Sequence, residues 1–173
     1  MATKSRHLIF SAFVLAALFL IPSCGYRLGG YKPRVLEKMQ TFNVTMMANY
    51  SLEPEAAVLI SSALADTLQR DGTYRLAARG ESDFRIEGEV SRIGYSSLRT
   101  NTEDTYLSDE ISMNVTVKYR VVDNSIQRTL IENSCIVSSS YYNSGNVQTA
   151  RANALSYAAQ LAAQRITEDL TNG

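Results

Sequence analysis

Tryptophan is missing from this sequence, and histidine, cysteine and proline are scarce, with one, two and three residues respectively. The one histidine, His7, lies in an N-terminal apolar segment that we expect to be removed. A mature chain without histidine has no Ser-His-Asp or Cys-His catalytic machinery and no histidine-containing metal site. We therefore predict a non-enzymatic protein with no catalytic residue, no metal and no cofactor.

An excess of charge of either sign is also missing. The whole chain has a formal net charge of +0, and without its first 23 residues it keeps 15 basic and 17 acidic residues, a formal charge of −2. Nucleic-acid binding depends on many cations that neutralise phosphates. This composition therefore argues against a general nucleic-acid partner.

The N-terminus has the pattern of a bacterial lipoprotein signal. Lys4 and Arg6 precede an uncharged apolar run of 14 residues, 8–21, which is shorter than the roughly 20 residues of a membrane-spanning helix. The run ends in Ile21-Pro22-Ser23-Cys24, which resembles a lipobox. We predict that residues 1–23 form a signal peptide and that Cys24 carries the lipid anchor. The alternative is an ordinary secreted protein in which Cys24 only lies near the cleavage site.

The residues after Cys24 predict where the anchor is held and how. Gly25 follows the cysteine directly, and the usual sorting rule for lipoproteins then favours the outer membrane, facing the periplasm. Residues 24–33 are rich in glycine and have the composition of a short flexible tether. Since Cys24 is modified, Cys135 has no intramolecular disulfide partner. We expect Cys135 to be a small core residue, the alternative being a reactive thiol.

Alternating apolar and polar residues predict the strands. The pattern covers residues 41–46, 84–90, 111–121 and, less regularly, 128–142, with a short edge strand at 74–77. The apolar parity slips after Val90, because Ile93 and Tyr95 are odd-numbered, which indicates a β-bulge near Ser91 and Arg92. Residues 99–109 have the composition of a loop, and residues 123–125 that of a turn.

Apolar residues at helical spacing predict two helices, at residues 54–70 and 147–170. The second is lined by alanines, which allow a helix to lie close to a sheet. The order β-α-β-β-β-α predicts an α+β fold: a mixed four-stranded sheet, with a possible short extra edge strand, and two helices on one face. Residues 34–173 are expected to form one domain.

Basic side chains on polar strand positions are the best candidates for a binding site. Lys118 and Arg120 share the polar face of one strand, while Arg92 and Arg99 lie near the bulge and the loop. Such a cluster can bind a phosphate or carboxylate through charge-assisted hydrogen bonds. The alternative is an ordinary cross-strand mixture of charges with Arg85, Glu87 and Glu89.

Several short motifs resemble those of the LptE family of lipopolysaccharide-assembly lipoproteins. Residues 24–30 (CGYRLGG) are similar to the family's CGYxLxG opening. The family layout is also matched by Leu52-Glu53-Pro54 before the first helix, by the turn at residues 71–75 (DGTYR) and by the strand at 84–88 (FRIEG). The resemblance spans nearly all of the chain after Cys24.

This resemblance implies a protein that sits inside the LptD outer-membrane β-barrel, plugs it, assists its assembly and contacts lipopolysaccharide. The implied partners are thus an LptD-type barrel, lipopolysaccharide and, through the lipid anchor, the membrane. Lys118, Arg120, Arg92 and Arg99 are then the expected contacts for lipid A phosphates or for the barrel. Two alternatives remain open: another periplasmic adaptor lipoprotein, such as a secretin-assembly partner, and a hydrolytic enzyme, which would need titratable groups gathered in one pocket.

Overall fold

The computed structural model describes residues 32–99, 110–143 and 145–172. The predicted signal peptide, Cys24, most of the tether and nearly all of the 99–109 loop lie outside these residues. The described chain contains one short 3-10 helix at Arg34–Leu36, six strands and two α-helices. In chain order they are β1 Thr41–Val44, β2 Ala48–Asn49, α1 Ala56–Asp71, β3 Arg75–Leu76, β4 Phe84–Arg99, β5 Glu110–Asp123, β6 Arg128–Tyr142 and α2 Val147–Thr171.

The sheet is mixed, as predicted, but it has six strands where four were expected. Its order is β3-β1-β4-β5-β6, and β2 pairs with β4 beyond the end of β1. The predicted edge strand is present as β3, while β2 was not predicted. Both have only two residues, too few for an alternation pattern to be visible in a sequence. Parallel pairing with neighbouring strands, rather than local pattern, makes them strands.

Strands β4, β5 and β6 form a long antiparallel meander that dominates the sheet. The expected bulge is confirmed: Val90 pairs with Val117 and Arg92 with Thr116, which leaves Ser91 as the extra residue. The bulge returns Ile93 to the face that carries Val90, so one face stays apolar along the whole strand. The turn between β5 and β6 is held by Asp123, whose Oδ1 accepts the Ser125 amide at 2.7 Å.

Both helices pack on the apolar face of the sheet, as predicted. The side chains that alternate inward on β5 are fully or almost fully buried. The helix α2 buries Ala154, Ala158 and Ala162, which the sequence placed on one side, and it also buries Ala159 and Ala163. At one end of the core, the Tyr74 hydroxyl donates to the Leu170 carbonyl at 3.0 Å and thereby joins the two halves of the chain.

The ends of α1 follow local sequence signals. The helix begins at Ala56, just after Pro54, and it ends at Gly72, whose φ of 80° is the left-handed conformation of a helix C-cap. Neither described helix is long and apolar enough to span a membrane.

Candidate functional site

The face of the sheet opposite the helices carries the candidate binding residues. On β5 the side chains of Ser112, Asn114, Thr116, Lys118 and Arg120 alternate with the buried core residues. Because the register of β4 and β6 is fixed against β5, their polar side chains join the same surface. We call this surface the open face. No helix among the described residues packs on it.

Arg120 does not stand free on the open face. It lies opposite Glu87, and its Nη2 approaches Glu87 Oε2 at 2.6 Å. Arg85 binds the other oxygen of the same carboxylate, with its Nε 2.6 Å from Oε1. Hydrogen bonds from Arg85 and then from Arg120 hold the pKa of Glu87 below its ordinary value. Glu87 is thus a fixed bridge between two arginines.

Lys118 has a looser partner. It lies opposite Glu89, with 3.4 Å between its Nζ and Glu89 Oε1, and its side chain is 62% exposed. Ion pairs at such exposed positions contribute between roughly 0 and 1 kcal/mol. An anionic ligand therefore needs little free energy to separate this pair.

Among the described side chains of Lys118, Arg120 and Arg92, that of Arg92 has no acidic partner. It pairs in register with Thr116, so it lies one diagonal position from Lys118 on the same face. Within the described part of the chain, no carboxylate lies within ion-pair distance of Arg92. Arg99 is the last residue of β4, and its side chain is not among those described. The structure thus brings Lys118, Arg120 and Arg92 onto one face.

A shallow groove of about 520 Å³ crosses the open face where the chain steps from β1 to β2. Glu87, Glu89, Lys118 and Arg120 line it, together with Met46 and Glu132. Alternation placed Met46 on the apolar side of the 41–46 strand, but β1 ends at Val44 and Met46 is exposed. Glu132 reaches the groove from β6 because it lies opposite Arg120. Both positions depend on strand pairing, which a single sequence does not display.

Charged groups of both signs line this groove. Three carboxylates and two cations line it, and most are already paired. No three metal-ligating side chains converge in the residues that the structure describes. The groove offers hydrogen-bonding groups of both signs, which suits a polar surface or a headgroup.

A second polar cluster ties the loop before α1 to the rest of the domain. Glu53 is almost fully buried and accepts a hydrogen bond from the Tyr95 hydroxyl. Arg151 of α2 supplies the opposite charge, with Nη2 3.3 Å from Glu53 Oε1. Burial, and then the hydrogen bond to Glu53, raise the pKa of the Tyr95 hydroxyl. All these groups satisfy one another, so the cluster is a structural link rather than an open site.

Solved structures share this fold at low sequence identity. They include PelC from Paraburkholderia phytofirmans, crystallised as a dodecamer (21% identity, 82% of this chain and 94% of that chain, TM-score 0.50). A minor lipoprotein from Acinetobacter baumannii is similar as well (10% identity, 77% and 93%, TM-score 0.51). So is a homologue of neuraminyllactose-binding hemagglutinin from Helicobacter pylori (7% identity, 82% and 89%, TM-score 0.52). At these identities the likeness concerns the fold alone.

Sequence comparison gives a more specific result. No curated protein matches the chain significantly. The family model for lipopolysaccharide-assembly, LptE, matches residues 39–170, which run from just before β1 almost to the end of α2. The match therefore covers all six strands, α1, nearly all of α2 and most of the chain. The protein belongs to the LptE family of lipopolysaccharide-assembly proteins.

Proposed function

We propose that this protein is a non-enzymatic outer-membrane lipoprotein that pairs with an LptD-type β-barrel, as plug and assembly partner, to place lipopolysaccharide in the outer leaflet. The observation that carries the proposal is the family match, which spans the mixed sheet, α1 and nearly all of α2. The polar open face and its shallow groove are consistent with a binding role.

The start of the domain supports anchoring through Cys24. Lys32 is held in place, since its Nζ donates to the Met39 carbonyl at 2.6 Å and lies 4.7 Å from the centre of the Tyr74 ring. Cys24 precedes Lys32 by eight residues, which span at most about 28 Å when fully extended. A lipid on Cys24 therefore keeps this end of the domain close to the membrane surface.

Lipopolysaccharide recognition is assigned to Lys118, Arg120, Arg92 and Arg99. Lys118 and Arg92 carry most of this proposal, because one has an exposed, weakly held partner and the other has none within the described residues. Arg120 shares Glu87 with Arg85, so it orients the surface more than it offers a free charge. A phosphate between Lys118 and Arg92 would receive charge-assisted hydrogen bonds from both.

Co-purification in detergent tests the partner. The acylated protein is isolated from cell envelopes, and mass spectrometry identifies any protein present in equal amount. A large barrel of the LptD type is the expected result. A secretin in its place would support the alternative of another periplasmic adaptor lipoprotein, and no barrel at all would remove the lipopolysaccharide-transport assignment. A Cys24→Ser variant should be lost from the membrane fraction.

Charge reversal tests the ligand site. We expect the double variant Lys118→Glu and Arg120→Glu to lose at least about tenfold in affinity for purified lipopolysaccharide, because attraction becomes repulsion. Arg128→Glu is the matched control, since Arg128 is an exposed arginine at the start of β6 outside the groove. Unchanged binding and barrel assembly in the double variant would contradict this assignment.

A further inference from the structure

The two edges of the sheet are very different. One edge is formed by the two-residue strands β3 and β2, and beyond β2 no described strand pairs with the outer side of residues 91–96 of β4. The other is β6, which has 15 residues and hydrogen-bonds on one side to β5. Among the described residues, no strand pairs with the outer side of β6. Every second residue of such an edge presents an amide and a carbonyl to whatever lies outside.

From Ile131 onwards the outer edge of β6 lacks the usual protection against strand addition, apart from the Ser134 amide, which donates to Asn133 Oδ1 at 2.8 Å. Its only irregularity is the extra residue Leu130, and from Ile131 to Tyr142 it keeps one register with β5. This 12-residue stretch contains no proline, glycine or lysine and a single charged residue, Glu132. Sheets normally blunt an exposed edge with charges, prolines or bulges. An unprotected edge of this length is a template for an added strand.

The side chains on the open face indicate what the added strand carries. Glu87, Arg120 and Glu132 lie side by side on β4, β5 and β6, so the charges alternate in sign across the sheet. Arg120 is bound to Glu87, and Glu132 has no ion-pair partner within the described residues. The next position in this row lies beyond β6, where a cation would continue the alternation and pair with Glu132. Four residues after Glu132 on the same face, Ile136 is 71% exposed, and an apolar neighbour would cover it.

We propose that the outer edge of β6 binds an extended segment of another polypeptide, which adds to the sheet as an antiparallel seventh strand. The segment has an apolar residue opposite Ile136 and, four residues later, a lysine or arginine opposite Glu132. Antiparallel pairing continues the meander of β4, β5 and β6. This inference goes beyond the proposed function, because it concerns an edge that pairs through its backbone and not the groove or the lipid anchor.

A second copy of this chain fits the edge poorly. A two-fold axis at Ile136 sets Ser140 of the other copy opposite Glu132 and leaves the carboxylate without a cation. The only basic residue on β6 is Arg128. Bringing Arg128 opposite Glu132 limits the overlap to residues 128–132, around the extra residue Leu130. Charge complementarity therefore favours a different polypeptide.

Photo-crosslinking in intact envelopes tests the proposal through its register. Benzoylphenylalanine is placed at Ser134, Ile136 or Ser138 of the acylated full-length protein, and the captured residues are identified by mass spectrometry. We expect all three positions to capture one segment of another protein. Because the pairing is antiparallel, each advance of two residues along β6 should capture a residue two positions earlier in that segment. A basic residue should follow two positions after the residue captured from Ser134. A crosslinker at Ile126, in the β5–β6 turn, should not capture this segment.

A charge change supplies the second readout. Glu132→Lys should lower the yield from Ile136 about fivefold, as expected when an attractive cross-strand pair becomes repulsive. Glu81→Lys, the same change on an exposed loop, should leave the yield unchanged. Capture of a second copy, of this chain's own residues outside the described ranges, of scattered sites or of nothing would overturn the proposal. A crosslinking yield from Ile136 that is unchanged by Glu132→Lys would overturn it as well. These results do not depend on whether a barrel co-purifies, so the two proposals fail separately.

Discussion

Gly88 is a position on β4 where the absence of a side chain allows the backbone of β5 to approach closely. It lies on β4 between the backbone of β5 and the side chain of Met47. An added Cβ would stand 2.8 Å from the Lys118 carbonyl oxygen and 3.3 Å from Met47 Cε. A real Cβ does not approach backbone oxygen so closely, so either the strands must separate or the residue must remain glycine.

We therefore expect Gly88→Ala to lower the free energy of unfolding by about 1–3 kcal/mol, the usual cost of overpacking. Gly94→Ala, on the same strand, is the matched control, because the nearest atom to its Cβ would be the flexible Arg92 Nε at 3.7 Å. Urea denaturation of both variants measures the difference. Equal stability of the two would show that β4 and β5 adjust without cost.

Cys135 is the second residue with a specific consequence. It is buried, as the sequence predicted for a small core residue, and burial, then the charge of Asp169, raise the pKa of its thiol to about 11. The reactive thiolate is therefore scarce at pH 8. We expect a thiol reagent to label the native Cys24→Ser protein about a hundredfold more slowly than the same protein in denaturant. Equal rates would mean that the thiol is accessible in the folded state.

At the scale of elements, Asp83 joins the entrance of β4 to the start of β1. Its Oδ2 accepts the amides of Gln40 and Thr41 at 2.8 and 2.9 Å. These hydrogen bonds, the one from Gln40 first, lower the pKa of Asp83 below its ordinary value of 3.8. The contribution to stability is thus complete above pH 3.8 and is lost as the pH falls through the lower, folded value.

We expect Asp83→Ala to lower the free energy of unfolding by about 1 kcal/mol at pH 7, since the carboxylate is exposed and solvent weakens its hydrogen bonds. The difference from the unmodified protein should shrink at pH values well below 3.8. Glu81→Ala, an exposed carboxylate in the same loop without such bonds, is the control. Urea unfolding at pH 7 and at pH 3 measures both, and a difference independent of pH would contradict the assignment to the charged form.

The long elements were predictable; of the two shortest, β3 was expected as an edge strand and β2 was not. Alternation on β5 and helical spacing on α2 are repeated many times, so each element carries its own evidence. The bulge at Ser91 was visible because it shifts the parity of Ile93 and Tyr95. The strands β2 and β3 have two residues each, too few to show an alternating pattern. Only their parallel pairing with β4 and β1 identifies them as strands.

For the molecule as a whole, stability depends on how closely α2 lies against the rest of the domain. Ala162 is fully buried in the core. We expect Ala162→Leu to lower the free energy of unfolding by about 1–3 kcal/mol, because the larger side chain pushes apart layers that are already close. Ala152→Leu, on an exposed position of the same helix, should change stability little. Thermal unfolding compares them, and equal melting temperatures would show that the layers can separate freely.

The candidate site was predicted in part. The sequence placed Lys118 and Arg120 on one polar face, because alternation fixes which side of a strand a residue occupies. It left open whether they meet a ligand or the glutamates of β4. Register shows that Glu87 and Glu89 lie opposite Arg120 and Lys118 and pair with them, and contact with a ligand stays a prediction. Glu132 joins the groove through register as well and carried no signal of its own. Met46 was predicted on the apolar side of a strand and lines the groove instead, because β1 ends at Val44.

By itself, the sequence determined the elements that depend on neighbours along the chain: the two helices, the four longer strands and the bulge. It also carried the short motifs of the family. Only the tertiary structure decided which charges neutralise each other and that β6 is an edge with an unpaired Glu132. The physical reason is distance along the chain. Periodicity is a local property, whereas an ion pair or a sheet edge depends on residues brought together by folding.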